Sequence, residues 1–182
     1  MKLSAEQIVE LLQLQTPTTC GFVSEPYRSS WQIPQSALPA GYEGGRSLGN
    51  VFYFLVKPEA RVLLHRIRSD QMYHHYLGDP LEVLLLYADG RSEVKRVGAD
   101  LAAGMRPQLF IPGGTFHTAR VAAVGDYALL ATSVWLRAEP ADVELGNADQ
   151  LAAKFPAAGA QLAEFTRLTI FDSASAVIGR SG

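Results

Sequence analysis

The chain has 182 residues, 48% of them hydrophobic and 19% charged, with a formal net charge of −2. That length suits one domain with short extensions, and the composition excludes a disordered chain. The small net charge gives no electrostatic reason to expect nucleic acid or an anionic membrane, and a single cysteine, Cys20, excludes an internal disulfide.

In chain order, the first predicted element is a helix. Ser4 and Gln7 have capping-box spacing, Leu3 and Ile8 can staple the start, and Ile8, Leu11 and Leu12 share one face. Pro17 is expected to end it. Charges interrupt the apolar residues here, so no secretory signal is read. Residues 16–50 read as an irregular arm with one short strand near Phe22–Tyr27.

From 51 to 137 short β-prone runs recur: Val51–Val56, Arg61–Ile67, Met72–Leu77, Leu81–Tyr87, Ser92–Val97, Pro107–Ile111, Thr115–Val121 and Tyr127–Trp135. Turn signals separate them, and Asp89-Gly90 is the strongest hairpin signal. None of the apolar runs is long enough to span a bilayer. A mainly all-β sandwich or barrel follows, because the strands do not alternate with helical patterns.

Residues 138–182 turn helical. Asn147 caps a helix stopped by Pro156, Leu162 and Phe165 mark another, and 173–182 are expected to fray. The organisation predicted is one domain over 1–182: a helix (1–15), the arm (16–50), a barrel (51–137) and a helical extension (138–182). A cytoplasmic protein is expected.

All four histidines, at 65, 74, 75 and 117, fall inside the strand-rich region. Pro112-Gly113-Gly114-Thr115-Phe116-His117 has the P-x-G-x-x-H form of the second cupin motif. Gln71, six residues and then Gly78 match the spacing of glutamate and glycine in the first cupin motif, with glutamine replacing the acid. His65 stands where the first histidine of that motif falls, and Ile67 occupies the second histidine position.

Longer stretches also resemble a family. Those at 64–86, 101–120 and 125–134, including GDPLE at 78–82, are similar to an uncharacterised cupin family with the fold of dTDP-4-dehydrorhamnose 3,5-epimerases. The resemblance implies a cupin double-stranded β-helix, or jelly-roll barrel, commonly a homodimer. Relatives carry an acidic residue where Gln71 stands, often Pro-Glu-Gly-Gly where Thr18-Thr19-Cys20-Gly21 stands, and often a glutamine at His117.

Strand parity places His75 and Tyr73 on the same face as Gln71, and His74 on the opposite face. His65, Gln71, His75 and His117 are therefore the set that would hold one divalent transition metal. The neutral amide supplies no charge to balance a cation, which favours a pocket without metal. Tyr73 also reads as a wall aromatic against Phe54 or Trp135. Glu25 and Arg28 match family positions at the pocket mouth, and Arg120 is a candidate for an anionic ligand group. Cys20, with no base paired to it in sequence, reads as a structural thiol.

Three functions stay open for a protein whose expected partner is a small-molecule ligand. One is a metal-independent isomerase or epimerase on a sugar-like or carbonyl compound, with His65 or His117 as base and Tyr73 as acid. The second is a metal-dependent cupin enzyme using His65, His75 and His117. The third is a non-catalytic metabolite-binding module.

Overall fold

The computed structural model describes residues 3–16, 19–122 and 125–167. Helix α1 (Ala5–Leu11) starts on the predicted capping box: Gln7 N–H donates to Ser4 Oγ at 3.3 Å, and Ser4 N–H donates to Gln7 Oε1 at 2.9 Å. Two donors that the helix itself cannot satisfy are thereby paired. The helix ends well before Pro17, which lies outside the described residues. Gln13 instead turns the chain in the left-handed region, at φ 51°.

The strands follow as β1 (Phe22–Arg28), β2 (Gln32–Ile33), β3 (Arg46–Ser47), β4 (Asn50–Val56), β5 (Val62–Ile67), β6 (Asp70–Gly78) and β7 (Leu81–Leu86). Then come β8 (Ser92–Val97), β9 (Gln108–Ile111), β10 (Phe116–Val121), β11 (Ala128–Trp135) and β12 (Val143–Leu145), with helices α2 (Ala148–Lys154) and α3 (Gly159–Thr166). One sheet has the order β1-β4-β11-β6-β9 and the other β12-β5-β10-β7-β8, while β2 and β3 pair separately. From β4 to β7, and again from β9 to β12, successive strands change sheet. That alternation is jelly-roll winding, as expected. Asp89-Gly90 makes the β7–β8 hairpin, with Gly90 at φ 92°.

The two sheets bury their facing sides against each other. Phe54, Tyr73 and Leu130 from one meet Val62, Leu85 and Ala119 from the other, each at most 2% exposed. On the outer side of the second sheet, Leu64, Leu84 and Phe116 are covered by Leu151, Leu162 and Phe165 of the C-terminal helices. On the outer side of the first, Leu55 and Leu129 are covered by Ala5 and Ile8 of α1. Leu11, predicted to share that covered face, is exposed instead.

A buried ion pair fastens the arm to the barrel. The Arg46 guanidinium on β3 donates to Asp142 through Nε at 3.1 Å, and both side chains are at least 96% buried. Among the described residues no helix is long and apolar enough to cross a membrane. Residues 173–182, predicted to fray, lie outside the described residues.

Candidate functional site

Register arranges the inner face of the first sheet in rows. Asn50, Val134 and Gln71 stand abreast on β4, β11 and β6, and Phe52, Thr132 and Tyr73 form the next row. Across the barrel, His117 on β10 lies directly opposite His65 on β5. His65 reaches the interior because of an irregularity. Ala119 pairs with Val62, so β5 has one more residue than its partner between the two pairs. Val62 and His65 therefore both face inward, although simple alternation would separate them.

The imidazoles are held from behind. His65 Nδ1 donates to the Leu63 carbonyl at 2.7 Å and His117 Nδ1 to the Thr115 carbonyl at 3.2 Å. In the neutral rings the proton therefore sits on Nδ1, and each Nε2 is bare and turned away from those carbonyls. The ring centroids are 4.3 Å apart. Gln71 Nε2 donates to His117 Nε2 at 3.3 Å, and Thr132 Oγ1 donates to Gln71 Oε1 at 3.3 Å. Burial holds His117 well below the ordinary imidazole range, and the neighbouring His65 pushes it further down.

Cys20 is positioned by the arm. The segment before β1 is stitched to β5: Leu63 N–H donates to the Thr19 carbonyl at 2.8 Å, and Cys20 bridges Val62. Gly21 permits this close approach, because a Cβ there would meet the Leu55 carbonyl oxygen at 2.1 Å. The Cys20 thiol donates to Thr19 Oγ1 at 3.5 Å, and its bridge to Val62 sets it against the strand that carries His65. Burial pushes the thiol up, but hydrogen bonding and charge from His65 outweigh it and hold the thiol below the usual cysteine range. Burial also opposes a charged His65, and Cys20 outweighs it and raises the imidazole. The fold brings together two residues 45 apart that no sequence motif joins.

In front of this pair lies a cavity of about 330 Å³. Thr16, Thr19, Cys20 and Val23 line one side, with Phe52 and Phe54 from β4, Thr132 from β11, and Gln71 and Tyr73 from β6. The two histidines stand behind this wall, screened by Cys20 and Gln71. Tyr73 packs on Phe54 at 4.8 Å between centroids and approaches His117 edge-on at 6.0 Å. It is 2% exposed, and its hydroxyl has no hydrogen-bond partner among the described residues. Burial and the charge of Cys20 keep that phenol well above its ordinary range, so it stays protonated.

Several predicted site residues are placed elsewhere. His75 keeps the inward register, opposite Leu130, but lies two residues beyond Tyr73, about 6.5 Å along the strand. Its Nε2 donates to the Asp79 carbonyl at 3.0 Å, next to a bulge, and it does not join His65 and His117. His74 faces outward, bonded to Ser133 and Gln108. Arg120, alternating with the inward Ala119 and Val121, lies on the outer face. It pairs with Glu82 and Glu164 and stacks over Phe165, so it does not reach the cavity. Glu25 and Arg28 pair with each other, and Glu25 also accepts from Asn50 Nδ2 at 2.7 Å and Arg137 Nε at 3.1 Å. Trp135 is 47% exposed and is not the neighbour of Tyr73.

This donor set does not fit the predicted metal site. Among the described residues no three His, Cys, Asp or Glu side chains converge to hold a metal ion. His117 Nε2 is taken by an amide donor, His65 faces Cys20, and no carboxylate joins them.

Two antiparallel sheets wound alternately around a cavity open at one end define a cupin barrel. Residues 6–145 match the family model described as Cupin superfamily (DUF985), and the chain belongs to that family. Solved structures agree on the fold. A hypothetical protein from Leishmania major is 26% identical, with a TM-score of 0.80 over 90% of this chain and 98% of that one. A protein from Shewanella oneidensis is 26% identical, with a TM-score of 0.77 over 92% and 99%. A cupin-2 domain from Rhodospirillum rubrum is 17% identical, with a TM-score of 0.53 over 82% of each chain, and shares the fold alone. No curated protein matches the sequence.

Proposed function

We propose that this cupin binds a small uncharged carbonyl compound in the cavity and shifts a proton on it without a metal, as an isomerase or epimerase does. The observation that carries the reading is the Tyr73 hydroxyl: on a buried side chain, protonated, without a partner among the described residues and lining the cavity together with the Cys20 thiol. That oxygen opens on the cavity with no protein partner among the described residues, so a ligand oxygen can take its hydrogen bond. Among the described residues that line the cavity none is a lysine, arginine or histidine, so the cavity offers a phosphate or carboxylate no counter-ion.

In this scheme Tyr73 donates to the carbonyl oxygen and makes the adjacent C–H more acidic. His65 is the base, acting through Cys20, which stands between it and the cavity. His117 serves as the neutral support that fixes Gln71. A thermal-shift screen of uncharged aldehydes and ketones, followed by exchange of hits in D2O, tests this. Deuterium should enter the α-carbon with the wild type, and at least about 100-fold more slowly with Tyr73→Phe. Binding without exchange would replace the enzyme by a metabolite-binding module. Preference for phosphorylated or carboxylated ligands would refute the charge argument.

A homodimer belongs to the same proposal. Ile8 of α1 is covered within the chain. Tyr27, Trp31, Leu48 and Trp135 remain 40–72% exposed near the β2–β3 ribbon, and such aromatic-rich patches suit an interface. Light scattering at micromolar concentration should give twice the chain mass, and a monomer would overturn it.

A further inference from the structure

We propose that Cys20 is a nucleophile that captures small uncharged aldehydes as a reversible hemithioacetal. The inference rests on the cavity being the ligand site, and it adds the reacting atom and the substrate class.

Three independent features converge there. Cys20 is held in place by backbone: Thr19 accepts from Leu63, Cys20 bridges Val62, and Gly21 sits where a side chain would strike Leu55. The bridge partner, Val62, faces the interior on the same strand as His65, and the His65 Nδ1–H is committed to the Leu63 carbonyl, so Nε2 is the atom available to take the thiol proton. Tyr73, on the opposite sheet, presents a hydroxyl with no partner among the described residues to the same space. A nucleophile, a base oriented by a backbone carbonyl and a hydrogen-bond donor for the developing oxyanion are the parts that thiol addition requires.

The step balances without a co-reactant. The S–H proton moves to His65 Nε2, and the sulfur electron pair forms a bond to the carbonyl carbon. The π pair of C=O moves onto oxygen, which accepts a hydrogen bond from Tyr73 and then takes the proton held by His65. The net change is addition of S–H across C=O, with nothing oxidised or reduced. Phe52, Phe54 and Val23 give the rest of the cavity an apolar lining, and the absence of a cationic wall selects an aldehyde without phosphate or carboxylate.

The test uses glyceraldehyde labelled with ¹³C at the aldehyde carbon, with the full chain as wild type, Cys20→Ser and Tyr73→Phe. The proposal expects a protein-bound signal at tetrahedral carbon in the wild type, absent in Cys20→Ser. Prior glyceraldehyde should also slow alkylation of wild-type Cys20 by iodoacetamide at least fivefold, a readout that needs no variant to fold. Tyr73→Phe should cut that protection to less than twofold, while alkylation in the absence of glyceraldehyde proceeds as in the wild type. Thermal stabilisation by glyceraldehyde in both wild type and Cys20→Ser, with no tetrahedral signal, would overturn covalent capture and leave the non-covalent reading standing. Absence of stabilisation, tetrahedral signal and protection together would overturn both.

Discussion

The two ends of the barrel interior are built from the same strands and do opposite work. At one end Val56, Leu81, Val83, Val121 and Ala128 close the space between the sheets with apolar side chains at most 5% exposed. At the other, two or three pleats along the same strands, the inward positions hold His65, Gln71, Thr132 and His117, and a cavity remains. The packed end gains from burial and dense contact. Among the described residues the polar end commits nearly every buried donor and acceptor, leaving only Asn50 Oδ1 unmatched, and the Tyr73 hydroxyl opens on the cavity. One end therefore stabilises the barrel while the other is kept available for chemistry.

Substitutions should separate the ends by size of effect. Leu85→Ala, in the packed interior, should cost about 2–5 kcal/mol in urea unfolding. A loss below 1 kcal/mol would mean the two sheets are not tightly packed there. Gln71→Leu keeps the volume but strands His117 Nε2 and the Thr132 hydroxyl, and should cost about 1–3 kcal/mol.

Acid should act on the polar end. The folded protein holds His117 neutral below the ordinary imidazole pKa near 6.5, so beneath that pH the unfolded chain binds more protons. The stability from His117 is thus present above that value and lost as pH falls towards its depressed folded pKa. His65 runs the other way: its raised pKa gives stability at low pH that fades as pH rises through the folded value. Comparing wild type with His117→Gln between pH 7 and 5 isolates the first effect. The wild type should lose more stability on acidification, and equal slopes would contradict a neutral buried His117.

Smaller effects mark the outside. Arg120→Gln should cost less than about 1 kcal/mol, since its ion pairs are partly exposed, and ligand binding should not change. The smallest effect is expected at Tyr73→Phe, near zero in stability, because the hydroxyl removed has no partner to lose. A clear destabilisation would show that the hydroxyl is already satisfied in the free protein.

Much of this fold could be read from the sequence, because turn signals and short β-branched runs act locally. The capping box at Ser4, the Asp89-Gly90 hairpin and the strand positions all follow from neighbours in the chain. Motif spacing also found His65, Gln71 and His117, which the structure brings together. The errors came from two other sources. Parity placed His75 with Tyr73 but could not see the carbonyl of Asp79 or the bulge beside it. Cys20 meets His65 only through the stitching of the arm to β5, a long-range contact with no local signature. Alternation with the inward Ala119 and Val121 turns Arg120 outward.

The cavity-facing hydroxyl of Tyr73 has a consequence for selection. A chain screened for heat resistance alone, with no ligand present, gains nothing by keeping that oxygen and can discard it freely. A chain screened for turnover or binding should hold it fixed. Tyrosine or phenylalanine at position 73 would therefore record which of the two pressures a population of variants has experienced.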